Sequence, residues 1–177
     1  MLFLQHVIDS LENGGRCAIV LDEGILFRTN ENAFVQTKRK LLDECDLYCI
    51  VSLPQGVFTE TGASSKTDIL LFEKGRRTER IWYYDLSDIK VGKRTPLTLD
   101  RFEEFFRLLP ERADSARSWT VERQTLEDKG LDLKAVNPNR KLEQATRTPQ
   151  ELISLIEEKQ AEIMAALAEL KSNTYRK

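Results

Sequence analysis

Cys17-Ala18-Ile19-Val20-Leu21 and Leu47-Tyr48-Cys49-Ile50-Val51-Ser52-Leu53 are the two stretches whose reading decides the fold class. Neither alternates apolar with polar residues. Each is a short apolar run of strand length, which predicts a strand covered on both faces, as in a parallel sheet. Between them lies a helical pattern over residues 31–44, with Phe34, Thr37, Leu41 and Cys45 along one side. A helix joining two strands permits a parallel pairing, because the crossover returns the chain to the same end of the sheet. Upstream, residues 1–13 carry Leu4, Val7, Ile8 and Leu11 at steps of three and four, the stripe of an amphipathic helix. Asn13-Gly14-Gly15 ends it, since glycine readily takes the left-handed conformation that closes a helix. Downstream, TDILLF (67–72) and RIWYYDL (80–86) read as two more strands, and the connector EKGRRTE between them is of hairpin length.

The resulting order of helix, strand, helix and three strands is an α/β layer pattern. It reads as part of a sheet, because a doubly wound fold normally opens on a strand and a phosphate or cofactor loop. Beyond Asp88 the character changes. A basic turn leads to a short helix with Leu99, Phe102, Phe105 and Phe106 on its apolar side, and residues 111–147 are mostly polar and expected to be extended and partly irregular. Thr148-Pro149-Gln150-Glu151 is a helix start, with a threonine cap, a proline in the first turn and a glutamate three residues on. The helix it opens carries Leu152, Leu155, Ile156, Ile163, Leu167 and Leu170 on one stripe, which must be buried against this chain's core or another chain.

Composition narrows the function classes. The chain has 177 residues, 27 Lys+Arg against 29 Asp+Glu and 41% apolar residues, enough for a core and too balanced to grip nucleic acid by bulk charge alone. No apolar run approaches the roughly 20 residues of a membrane span, and MLFLQHVIDS lacks the features of a signal peptide, so no membrane association and a cytoplasmic location are expected. Cys17, Cys45 and Cys49 lie in or beside apolar runs and fit reduced core thiols. With one histidine, His6, far away in sequence, no metal site is expected.

Chemistry-bearing candidates gather where the strands end. Asp22-Glu23-Gly24 follows the first strand at its carboxyl end, the edge where open α/β sheets bind ligands. The competing reading is a solvated acidic turn. Ser52 to Phe58 leaves the next strand similarly, with Pro54 and Gly56 bracketing a turn that presents Phe58 at the rim or folds it onto the core. Ser64 and Lys66 do not make a nucleophile and base without a desolvated lysine. G-x-G-x-x-G and G-K-[ST] are both absent. Asn137-Pro138-Asn139-Arg140 lacks the second proline and the aromatic of an Asn-Pro-Pro-aromatic motif.

Taken together, Gly14-Gly15-Arg16 with CAIVLDEGILF, KRKLLDECDLYCIVSLPQGVF, KTDILLFEKG, VGKRTPLTLDRFEEFFRLLP and DLKAVNPNRK resemble, in order, the modification subunit of type I restriction–modification systems. That family comprises adenine-specific, S-adenosylmethionine-dependent DNA methyltransferases. The resemblance implies a partial Rossmann-like sheet, its second half, in residues 1–87, a mixed extension in 88–147 and a C-terminal amphipathic helical arm in 148–177. The family's glycine-bearing cofactor loop and Asn-Pro-Pro-aromatic motif have no counterpart here, so the isolated chain is expected to be inactive and to bind no S-adenosylmethionine alone. By the family pattern Phe58 stacks on a flipped target base, Lys66 and Thr67 touch DNA, and Asp22, Glu23, Gly24, Pro54 and Gly56 edge the pocket. The terminal stripe docks on the specificity subunit. DNA and the specificity and restriction subunits are the implied partners. A second reading is a non-enzymatic module that docks through its last helix.

Overall fold

A computed structural model describes residues 1–59, 62, 65–139 and 149–174. The chain divides into two compact units, Met1–Arg140 and Lys141–Lys177. The first opens with helix α1 (Leu2–Ser10), strand β1 (Arg16–Asp22), a single turn α2 (Gly24–Phe27) and helix α3 (Asn32–Glu44). Strands β2 (Cys45–Ser52), β3 (Thr67–Lys74) and β4 (Arg80–Asp85) follow, then a 3₁₀ turn at Leu99–Phe102 running into α4 (Glu103–Leu108). Strand β5 (Ser118–Glu122) and α5 (Arg123–Asp128) complete it. The second unit contains α6 (Pro149–Thr174).

The five strands form one mixed sheet in the order β1-β3-β2-β4-β5. β2 is parallel to β4, and the other pairs are antiparallel. β1 and β2 therefore point the same way, as a helical crossover requires, with β3 inserted between them. The hairpin expected of β3 and β4 does not form, because β2 separates the two strands. Their connector crosses the start of β2 instead. Buried Thr78 accepts a hydrogen bond from Leu47 N at 2.8 Å and donates one to the Cys45 carbonyl at 2.6 Å, standing in for a strand where β4 has not begun pairing. Just beyond, the β2 register shifts between Leu47 and Cys49, so that Tyr48 and Cys49 both pack against the same side. This is the local signature of a β-bulge.

Apolar alternation along the strands builds two clusters. On one face Leu4 and Ile8 of α1 and Leu41 and Leu42 of α3 pack on Ile19, Leu47, Ile50, Leu70, Phe72, Ile81, Tyr83 and Trp119. On the other, Phe105 of α4 covers Cys49, Val51, Leu53, Trp82, Tyr84 and Leu86. The second layer does not reach β1. Only Ile19 and Leu21 of that strand are buried, and Val20 is 46% exposed, so β1 is covered on one face and not two as expected. β2 meets the expectation, with Cys49, Ile50 and Val51 all buried in succession.

Residues 111–139 are more regular than their polarity suggests. β5 lengthens the sheet at β4, and Trp119 stacks on Tyr83 at 5.4 Å between centroids. The turn that follows Ala135 is pinned to it: Asn137 Nδ2 donates to the Ala116 carbonyl, and Asn137 Oδ1 accepts from Asn139 N. The unmatched Asn-Pro-Asn segment is thus a structural turn. In α6, Leu152, Ile156, Ile163 and Leu167 are exposed and Leu155 is half-buried. The Thr148 cap and the Leu170 side chain lie outside the described residues. Among the described residues no helix is long and apolar enough to cross a membrane.

Candidate functional site

Two successive rows of side chains cross the first face of the sheet. Ile19, Leu70, Ile50, Tyr83 and Trp119 are neighbours across all five strands, and every one is buried. Two residues nearer the carboxyl ends of β1, β2 and β4, the corresponding row is Leu21, Asp68, Ser52 and Asp85. The period of two keeps both rows on one face, so the core turns polar within a single step. A cavity of about 220 Å³ opens there, lined among others by Glu23, Lys66, Asp68, Asp85, Trp119 and Lys134.

The turn after β1 closes one side. Asp22 Oδ1 accepts a hydrogen bond from Gly24 N at 2.7 Å, and a Cβ at Gly24 would lie 2.6 Å from that oxygen, so a side chain there would push the Asp22 carboxylate aside. Glu23 N donates to the Lys66 carbonyl at 2.9 Å. Its carboxylate accepts from Lys66 Nζ at 2.7 Å and from Lys134 Nζ at 3.1 Å. Burial works to raise the Glu23 pKa, but the hydrogen bonds and charges of these two lysines outweigh it and hold the carboxyl below its ordinary value. Lys38 supports the turn from below: its buried ammonium donates to the carbonyls of Leu26 and Arg28, each at 2.9 Å. Burial depresses the Lys38 pKa.

Asp68 is the unusual member. Its side chain is buried, and neither carboxylate oxygen has a full hydrogen bond. Burial pushes its pKa up to about 6, the nearby Ser52 hydroxyl offsetting only part of the effect. Tyr83, lower in the cavity, is satisfied by donating to the Leu133 carbonyl at 2.9 Å.

The loop after β2 takes the other face. Leu53 N donates to the Thr67 carbonyl and Pro54 is buried, fixing the stem. Gly56 has φ +93, a left-handed turn that Thr59 N closes by donating to the Gly56 carbonyl at 3.2 Å. Phe58 is half-buried beside Val57 against the second cluster. The structure thus brings Glu23 and Lys66 into direct contact and sets Thr67 opposite Asp22 across the β1–β3 pair, while Phe58 stands on the opposite side of the sheet. Residues 60, 61, 63 and 64, including Ser64, lie outside the described residues.

No sequence motif marks Asp68, Asp85 or Lys134. The legible signal is positional: in TDILLF an acid occupies an inward place that alternation assigns to the core.

The chain is 34% identical over 174 residues to the EcoEI methylase subunit of a type I restriction enzyme from Escherichia coli, covering 92% of this chain and 34% of that protein. It is 35% identical over 122 residues to the EcoKI methylase subunit of E. coli K12, covering 63% of this chain and 22% of that protein. It therefore spans about a third or less of these relatives. Among solved structures, one concerning complex assembly and conformational transition of the type I R-M system superimposes with a TM-score of 0.73 and 36% identity, over 96% of this chain and 38% of that one. The five-stranded sheet accordingly belongs to a Rossmann-like methyltransferase fold. A family model described as N-6 DNA Methylase matches residues 1–147, and on this finding the chain belongs to the N-6 DNA methylase family.

Proposed function

We propose that this chain is the C-terminal portion of a type I restriction–modification methyltransferase subunit, serving adenine N6 methylation of DNA within a multisubunit complex. The observation that carries this reading is the extent of the match, 92% of the chain against 34% of a methylase subunit. In that role residues 1–87 supply the second half of the methyltransferase sheet, 88–147 an extension and 148–177 a docking arm. Phe58, held at the end of a stem fixed by Leu53 and Gly56, stacks on the flipped base, since a base taken out of the duplex needs a flat apolar partner. Lys66 and Thr67 touch the DNA backbone from the adjoining stem, Lys66 sharing its ammonium between phosphate and Glu23.

The residues described do not fit S-adenosylmethionine. Gly24, the glycine at the β1 turn, is closed by Asp22 Oδ1, and the Glu23 carboxylate is already taken by two lysines. No step through the methyl donor is assigned to this chain, and alone it transfers no methyl group.

Phe58→Ala in the complete enzyme tests the reading. Turnover on duplex DNA is expected to fall by about 10-fold or more, the scale of a stacking contact of roughly 1–3 kcal/mol. Unchanged turnover would remove the stacking role of Phe58. A second reading, a non-enzymatic module docking on a specificity or methyltransferase subunit through α6, shares the exposed Ile156, Ile163 and Leu167 and is tested by deleting residues 148–177 and measuring co-purification, where an intact complex would contradict it.

A further inference from the structure

The cavity behind the Glu23 turn holds a carboxylate that the protein itself leaves unmatched. Asp68 is 1% exposed, lines the cavity, and has no full hydrogen bond at either oxygen. The cations nearest in the lining are committed elsewhere. Lys66 and Lys134 both donate to Glu23, and Lys134 also lies over the Phe27 ring at 5.6 Å. Asp85, the next acid in the same row, accepts from Ser87 N. A buried carboxylate that only the nearby Ser52 hydroxyl partly offsets is costly, and the cost is removed by an occupant that brings N–H groups to it.

The rest of the lining restricts that occupant. Leu26, Ile50, Trp119, Leu133 and Val136 make apolar walls. About 220 Å³ is below the roughly 300–1,000 Å³ of drug-sized pockets, so the occupant is of fragment size. An anion would face Asp68 and Asp85 together. A chelated metal ion is not favoured either: no group of three His, Cys, Asp or Glu residues able to hold one occurs among the described residues.

We infer that this cavity is a binding site for a small organic cation, an amidinium or primary ammonium on a short apolar body, whose N–H groups donate to Asp68 while the body lies against Trp119 and Leu133. An amidinium matches the two oxygens of a carboxylate with two parallel hydrogen bonds. The inference uses only the walls of the cavity and does not depend on the methyltransferase reading. A failure of the Phe58 test therefore leaves it standing, and its own failure leaves that reading standing.

Benzamidine is the probe, titrated into the whole chain and followed by tryptophan fluorescence, with Trp82→Phe leaving Trp119 as the sole reporter, and by proton–nitrogen correlation spectra. Saturable binding is expected, with shifts concentrated at the Trp119 indole, Lys134 and Asn137, while benzoate and benzyl alcohol fail to bind. Asp68→Asn should weaken benzamidine roughly 10-fold or more, the worth of a hydrogen bond to a charged group. Glu23→Gln should weaken it as well, because the two lysines it releases can then answer Asp68. Absence of saturable binding, shifts elsewhere on the chain, equal binding of benzoate, or wild-type affinity in Asp68→Asn would each overturn the assignment, leaving a solvent-filled cavity. Should Asp68→Asn fail to fold, the wild-type shift map and the benzoate comparison decide by themselves.

Discussion

The row Ile19, Leu70, Ile50, Tyr83, Trp119 and the row Leu21, Asp68, Ser52, Asp85 lie on one face of one sheet, two residues apart. The first is buried under α1, α3 and the turn at Leu133, with Ile50, Tyr83 and Trp119 forming the apolar floor of the cavity into which the second opens. The backbone is alike in both. The difference lies in the side chains and in what covers them, so the same pleat serves as core at one level and as site at the next. Three polar residues at consecutive inward positions achieve this, because an inward polar group must either find a partner or line a space that can hold one.

The largest expected effect tests the apolar row. Ile50→Ala removes a side chain that is 1% exposed at the centre of the sheet, and denaturant unfolding should show a loss of about 2–5 kcal/mol, the range for large-to-small changes in a packed core. A loss below about 1 kcal/mol would mean that this row is not tightly packed.

The next effect belongs to the polar row and carries a sign. The Asp68 pKa in the folded chain, about 6, stands above its ordinary value of 3.8, so the folded state holds the extra proton between these values. Stability should therefore fall as pH rises from about 4 to about 6, by on the order of 3 kcal/mol, and flatten above. Glu23, Lys66 and Lys134 face the same carboxyl and bend this profile: Glu23, held below its ordinary value, contributes stability that is lost as pH falls through its folded value. Comparison with Asp68→Asn isolates the Asp68 share, since the variant should lack the falling slope. Identical pH profiles for the two proteins would show that Asp68 does not titrate as an isolated buried acid.

The smallest effect sharpens the contrast from the sheet edge. Val20→Ala on β1, 46% exposed, should cost no more than about 0.5 kcal/mol, although its strand reads in sequence like that of Ile50. A core-sized loss would imply that this face is covered.

That pair also marks what the sequence could and could not convey. CAIVL and LYCIVSL carry the same local signal, and each correctly predicts a strand. Which of them is covered on both faces is decided by Phe105 and its neighbours, far along the chain, and periodicity within a strand holds no trace of that. The separation of β3 from β4 was likewise illegible. A short connector is compatible with a hairpin, and only Thr78, bonded to Cys45 and Leu47, shows the chain stepping across β2. In the candidate site, the place of Asp22-Glu23-Gly24 at the end of a strand is legible, and of the three Glu23 lines the cavity. Lys134 was not, because it reaches Glu23 only through the tertiary packing of the turn at Leu133.

On the function proposed above, this chain would work as a component of a type I complex, joined to it through α6. Co-purification of the chain with the specificity subunit of a type I system tests this most directly, comparing the native sequence with a variant carrying Ile156→Glu and Ile163→Glu. The native chain should be retained by the specificity subunit and the double variant released, with the Met1–Arg140 unit still folded in both. No retention of the native chain, or equal retention of the double variant, would contradict the account.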